Sequence, residues 1–220
     1  METSSIEPGP VPPSPSDYPV TFSVTYPERQ LNRLTTFFRI FTVIPIAIVV
    51  SLLPGGAASS YSAYGAGATA VAGSLVIFPV VLMLLFRKKY PRWWFDWNLE
   101  LMRFSNRVGV YAALMDDEYP STDEQQAVHL DFPYPDAPRL ERGLPLVKWL
   151  LAIPHYVVLF FLYIGAFFAV IGAWLVILFT GRYPRGIFKF VEGTFRWGNR
   201  VYAYAFALVT DQYPPFRLKP

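Results

Sequence analysis

A stretch of this 220-residue chain occurs twice, and the duplication constrains what it can fold into more than any other feature. Lys89–Pro120, KYPRWWFDWNLELMRFSNRVGVYAALMDDEYP, matches Arg182–Phe216, RYPRGIFKFVEGTFRWGNRVYAYAFALVTDQYPPF. Each opens on a basic residue and Tyr-Pro-Arg (Tyr90, Pro91, Arg92; Tyr183, Pro184, Arg185) and carries Arg-aromatic-x-Asn-Arg-Val (Arg103–Val108; Arg196–Val201). Each closes with an acidic residue shortly before Tyr-Pro. Upstream, Leu31, Arg33, Arg39, Ile44 and Pro45 have counterparts Leu140, Arg142, Lys148, Ile153 and Pro154, each 109 positions on (140 − 31). Across the Tyr-Pro-Arg blocks the offset is 93 (183 − 90), so the first unit holds 16 residues (109 − 93) that the second lacks. A period near 100 residues is that of two fused copies of a small domain, not of a solenoid. The expected organisation is a disordered tail over 1–17, a first unit over 18–120 and a second over 121–220, the two forming one membrane domain.

The membrane expectation comes from two runs without Asp, Glu, Lys or Arg, Ile40–Phe86 and Trp149–Gly181. With 53% hydrophobic and 18% aromatic residues, the chain is more apolar than an ordinary soluble domain. Leu34–Leu53 and Ala68–Phe86, separated by the Gly/Ala/Ser/Tyr segment Pro54–Gly67, read as two spans. Trp149–Gly181 would be about 50 Å long as one straight helix, against a hydrocarbon core of about 30 Å. By analogy with the first unit it is expected to turn tightly near Gly165, giving spans over Leu144–Ile164 and Ala166–Thr180. All 19 Lys and Arg lie outside the runs, which places both termini and both Tyr-Pro-Arg blocks in the cytoplasm. Two units inserted in the same sense are parallel repeats. The expected fold class is therefore mainly α and integral to the plasma membrane. It has four membrane helices as two parallel-repeat hairpins, with cytoplasmic amphipathic helices and short β-strands.

Local patterns supply the smaller elements. Val20, Phe22, Val24 and Tyr26 alternate with polar residues, as do Val128, Leu130, Phe132 and Tyr134, which predicts one strand per unit. These strands are expected to pair antiparallel, because a half-turn about an axis along the membrane normal reverses any direction lying across it. After each Tyr-Pro-Arg comes an amphipathic helix. Trp93, Trp97, Leu101, Phe104, Val108, Tyr111 and Met115 form one apolar stripe, and Phe190, Trp197, Val201, Tyr204 and Leu208 the other. Residues 1–17 are rich in Pro and Ser and lack the basic start and apolar core of a secretory signal.

The second block, preceded by LAIPHYVVLFF and LFTG, resembles the signature of a membrane-protein family catalogued as domain of unknown function 4389, of the actinobacterial type. The resemblance spans Phe22–Phe216 as two tandem copies. The first copy is the looser, with Trp93-Trp94 for Gly186-Ile187 and Asp-Asp-Glu for Thr-Asp-Gln. It implies a multi-pass membrane protein and carries over no activity.

Chemistry-bearing residues are sparse. There is no Cys, and His129 and His155 are the only histidines. Both read as polar interface residues, and the carboxylate run Asp116, Asp117, Glu118 reads as a solvated loop, not a cation site. No Gly-rich phosphate loop, nucleophile elbow or zinc-ligand spacing occurs. No cofactor and no enzymatic activity are expected. The basic residues carry more weight. Arg39, Arg87, Lys88, Lys89 and Arg92, with Lys148, Arg182 and Arg185, border the apolar runs and are candidates for anionic lipid headgroups or protein partners. Arg103, Asn106 and Arg107, with Arg196, Asn199 and Arg200, are expected to be structural, reaching turn carbonyls and nearby carboxylates. The leading expectation is a non-enzymatic membrane scaffold or accessory subunit, within a larger membrane complex, that organises protein partners or anionic lipids at the cytoplasmic face. The alternative is a small transporter or channel, and nucleic acid is not an expected partner.

Overall fold

The computed structural model describes residues 18–52, 90–122, 124–136, 140–141 and 143–220. Within them, β1 (Thr21–Val24) precedes α1 (Arg33–Leu52), α2 (Arg92–Ala112), β2 (Val128–Asp131), α3 (Leu144–Leu151), α4 (Ile153–Thr180) and α5 (Arg185–Ala205). The fold is mainly helical. The expectations for the 1–17 tail, Pro54–Gly67, the span Ala68–Phe86 and the basic trio Arg87, Lys88 and Lys89 lie outside the described residues.

The Tyr-Pro-Arg blocks do the same job twice. Pro91 and Pro184 sit at φ −67° and −65° with extended ψ, and a 21-residue helix starts at the following Arg in each case. Proline fixes φ and has no N–H to leave unpaired at a helix start, so it marks the entry cleanly. Asn32 caps α1, its side-chain oxygen accepting from Leu34 N at 2.9 Å. Gly181 closes α4 at φ 71°, a left-handed conformation that glycine adopts without a Cβ clash.

The strands pair antiparallel, with Phe22 opposite Leu130 and Val24 opposite Val128. Phe22, Val24, Leu130 and Phe132 are buried, while Thr21, Thr25 and Asp131 are exposed. The alternation in the sequence thus becomes a two-stranded sheet with one face down. Beneath it lie α2 and α5: Phe95 meets Phe132 edge-on at 5.5 Å between ring centroids, and Phe22 meets Phe195 at 6.3 Å. Beneath them in turn lie α1 and α4. Ile46 and Val50 of α1 cluster with Phe104 and Val108 of α2, and Leu159 of α4 clusters with Trp197 and Val201 of α5. The core therefore sits in the middle layer, between sheet and apolar helices.

Two expectations are corrected here. The hairpin near Gly165 does not form, because α4 runs unbroken from Ile153 to Thr180, 28 residues. Gly165 stays helical, with the Phe190 ring 3.4 Å from where its Cβ would stand. A single glycine costs a helix only about 1 kcal/mol, far less than packing along a neighbour can return. Four membrane helices are accordingly not supported. Two described helices, Arg33–Val50 and Ile153–Thr180, are long and apolar enough to span a bilayer by length and composition. On α2 Asp96 and Glu100 are exposed, while Asn106 and Arg107 there and Arg196, Asn199 and Arg200 on α5 are buried. The sheet and the loop and C-terminal segments cover them.

Candidate functional site

Most of the polar contacts inside the fold fall into three tiers, each formed by residues at corresponding places in the two units. Nearest the strands, Arg103 Nε donates to Leu130 O at 2.9 Å and Arg196 Nε donates to Phe22 O at 2.8 Å. These carbonyls point away from the partner strand, so each guanidinium occupies an outer sheet edge that would otherwise stay open. Arg196 also bonds Glu192 at 2.7 Å, and Glu192 accepts from Val24 N at 3.2 Å, so the β1 edge is satisfied as donor and as acceptor. Arg103 pairs with Glu100 at 2.7 Å and with Asp131 at 3.4 Å.

In the middle tier Asn106 and Asn199 exchange hydrogen bonds across the α2–α5 crossing, at 2.8 and 2.9 Å. The helices approach closely there, the Phe195 ring lying 2.8 Å from a Cβ placed on Gly109. Arg107 donates to Ser121 O at 2.8 Å, and Arg200 donates to Lys219 O at 3.1 Å and Arg217 O at 3.3 Å. Burial, helped by the neighbouring Arg217 and Arg196 charges, holds the Arg200 guanidinium down at about 10, with Tyr18 acting the other way. The four arginines thus reach strand and loop carbonyls, among them the carbonyl just past Tyr119-Pro120, while the two asparagines bond each other. Several tyrosines do likewise: Tyr26 donates to Tyr183 O at 2.6 Å, Tyr134 donates to Tyr90 O, and Tyr90 donates to Ala207 O at 2.5 Å. Burial raises the Tyr90 and Tyr183 phenols well above their ordinary value.

The third tier is a pair of clamps. Arg39, 2% exposed, stands 2.5 Å from Asp117, donates to Asp116 O at 2.8 Å and lies over the Tyr111 ring. Lys148, fully buried, stands 2.6 Å from Asp211, donates to Thr210 O at 2.7 Å and lies over the Tyr204 ring. Each aspartate also accepts a backbone N–H ahead of its apolar helices, Asn32 N for Asp117 and Glu141 N for Asp211, both at 2.7 Å. The chain reaches these positions through a left-handed leucine just past each long helix, Leu114 at φ 64° and Leu208 at φ 56°. That conformation costs a non-glycine residue about 1–2 kcal/mol, which the clamps offset.

Arg39 and Lys148 therefore do not present their charges to lipid; both are enclosed and paired inside the protein. Arg92, Arg182 and Arg185 are exposed, Arg92 over Tyr134 and Arg185 over Tyr26. The carboxylate run is internal as well. Asp116 accepts from Arg29 at 2.9 Å and Asp117 from Arg39, so the solvated-loop reading holds only for the exposed Glu118. Among the described residues no three His, Asp or Glu side chains gather as metal ligands. His129 meets Thr25 at the sheet surface, and fully buried His155 accepts from Trp197 Nε1 at 3.0 Å and stacks on Phe216. An open polar concavity of about 460 Å³ lies along the β2 edge between Arg103, Gln126 and His129. A narrower one of about 160 Å³ lies between α2, α4 and α5, beside the Asn106–Asn199 pair.

Residue patterns missed the strand-edge role of Glu192. They also missed the close packing of Gly193 against Leu218, whose Cβ lies 2.9 Å from where a Cβ on Gly193 would stand. Glu192 is legible only as an i,i+4 partner of Arg196, since the strand it serves lies 168 residues away.

Residues 145–217 match the family model described as Domain of unknown function (DUF4389). The match covers a single copy and lies within the second of the two units. No curated protein and no solved structure matches the chain.

Proposed function

We propose that this chain, which carries a domain of that family, is a non-enzymatic membrane scaffold or accessory subunit. Its polar layer organises partners at the cytoplasmic face, and its apolar helices seat it in the bilayer. One observation carries the reading: the molecule is two-sided. Phe37, Phe41, Ile44, Phe161, Phe168 and Phe179 stand exposed on α1 and α4, while the other side of the molecule is the sheet and loops. An apolar surface of that extent marks a membrane or protein interaction site. Between the two sides, the buried arginines and the buried lysine are engaged with carbonyls and carboxylates of the protein itself. Such groups build a stiff platform and are not presented to a substrate.

The architecture behind this platform is read as two copies related by a pseudo-two-fold axis along the membrane normal. Support comes from the contacts that recur at corresponding positions: Arg103 and Arg196 on strand carbonyls, Arg39 and Lys148 on aspartates, and Asn106 on Asn199 across the axis itself. The lysine and arginine distribution supports cytoplasmic termini. Copurification from membranes in mild detergent, followed by mass spectrometry of proteins and lipids, tests the function. A protein recovered in fixed stoichiometry is the expected result. A bound small solute, with solute flux into proteoliposomes, would replace the scaffold by a transporter.

A further inference from the structure

We infer that α1 and α4 do not cross the bilayer but lie along its surface, so that their outer faces form one in-plane, monotopic lipid-binding face. The inference rests on the membrane reading above and goes further, because composition alone marks both helices as spans.

The argument is about depth. α5 runs back along α4: His155 meets Trp197, and Gly165, near the middle of α4, meets Phe190. Glu192 and Arg196 stand two and six residues along α5 from Phe190, about 3 and 9 Å at 1.5 Å per residue. Both bond β1, Glu192 through Val24 N and Arg196 through Phe22 O. Were α4 to stand upright in the bilayer, an ion pair and a strand would be carried to mid-depth beside it. The outward residues of that strand, Thr21, Ser23 and Thr25, would face hydrocarbon. Charged side chains at the centre cost at least about 2.5–3.5 kcal/mol each, and lipid-exposed non-helical backbone does not occur there. The same holds for α1, whose Ile46 and Val50 pack on Phe104 and Val108, next to Arg103 and Arg107.

Laying the helices flat removes the conflict. The exposed residues of α4 include Val157, Phe161, Ile164, Phe168, Ile171 and Phe179, one stripe at helical spacing along its whole length. That stripe runs for about 33 Å on a 28-residue helix of about 42 Å, longer than a hydrocarbon core of about 30 Å is thick. The inner face of α4 is apolar because it packs on α5, so a helix apolar all round need not be a span. At one end, where Leu31 N bonds Gly181 O at 2.9 Å, the exposed Arg33 and Arg182 flank the stripe at headgroup level, matching anionic lipid.

The chain contains no cysteine, so single-cysteine variants test this cleanly. Val157→Cys, Phe168→Cys and Phe179→Cys, all exposed and on the one stripe, would be spin-labelled in the full chain. The labelled protein would be placed in vesicles of phosphatidylcholine and phosphatidylglycerol, and depth read from oxygen against nickel-chelate collisions. An in-plane helix puts all three labels at one shallow depth, about 5–10 Å into the acyl boundary. A crossing helix makes position 168 the deepest and overturns the inference. Independently, Gly143→Cys and Gly186→Cys, where a side chain meets open space, bracket α3 and α4. Both should react with an impermeant maleimide from the same side of native membranes. Reaction from opposite sides overturns the in-plane seating while leaving a membrane protein. Three labels that all behave as aqueous would overturn the membrane reading with it.

Discussion

Lys148 is a charge that the fold encloses completely, and its partner decides what it costs. Burial pushes its pKa below the ordinary 10.5, and Asp211 pulls it back. Asp211→Asn removes the compensating charge and leaves an enclosed ammonium with neutral partners, Thr210 O and the Tyr204 ring among them. Breaking a buried pair in this way costs roughly 3 kcal/mol, seen as a lower midpoint of thermal unfolding in detergent. The sign of the pH dependence follows. An amine whose folded pKa lies below its unfolded one carries the full penalty while protonated in both states. The penalty fades as pH rises from the folded pKa towards 10.5, so the deficit of the variant should shrink in alkaline buffer. The double variant Lys148→Met, Asp211→Leu should recover most of the loss at neutral pH, since an apolar pair avoids desolvation altogether. The matched position of Arg39 and Lys148 was legible from the repeat. Their enclosure was not, because the aspartates that hold them lie about 60–80 residues further along the chain.

At the scale of elements, α5 is the spine: it touches β1, α3 and α4 and holds the C-terminal segment. Arg196 donates to Leu218 O at 2.9 Å, and Gly193 leaves no room for a side chain under that residue. Gly193→Ala favours an isolated helix by about 1 kcal/mol. In the protein it must move backbone as well as side chain of Leu218, and overpacking of this kind costs about 1–3 kcal/mol. The expected outcome is faster trypsin cleavage at the exposed Arg217, with α5 itself intact by circular dichroism. Unchanged cleavage would show that the segment is held from elsewhere. The helix starts at Pro91 and Pro184 and the strands at Thr21 and Val128 were readable because proline geometry and period-two alternation are local. The hairpin at Gly165 failed because a lone glycine is a weak breaker, and only Phe190 shows that the helix continues past it.

Across the whole molecule, the exposed arginines lie outside the polar core while the enclosed ones do not. Arg92→Gln, Arg182→Gln and Arg185→Gln together should weaken the protein's selectivity for phosphatidylglycerol over phosphatidylcholine. At about 1 kcal/mol per residue near the surface, each contributes roughly fivefold, and salt should erase the difference. Measured by lipid enrichment around the reconstituted protein, a selectivity unchanged in the triple variant would exclude these residues as headgroup contacts.

By itself the sequence determined the two strands, the starts of α2 and α5, the recurrence of one block and the apolar runs. Each is written in spacing and composition over a few turns of chain. Only the tertiary structure decided that Arg103 and Arg196 serve strand edges, that Arg39 and Lys148 turn inward, and that α4 runs unbroken beside a charged layer. The reason is physical. Periodicity names a face without naming its partner, and a helix apolar on every side has no face to name. Its orientation is set by which surface its neighbours leave uncovered.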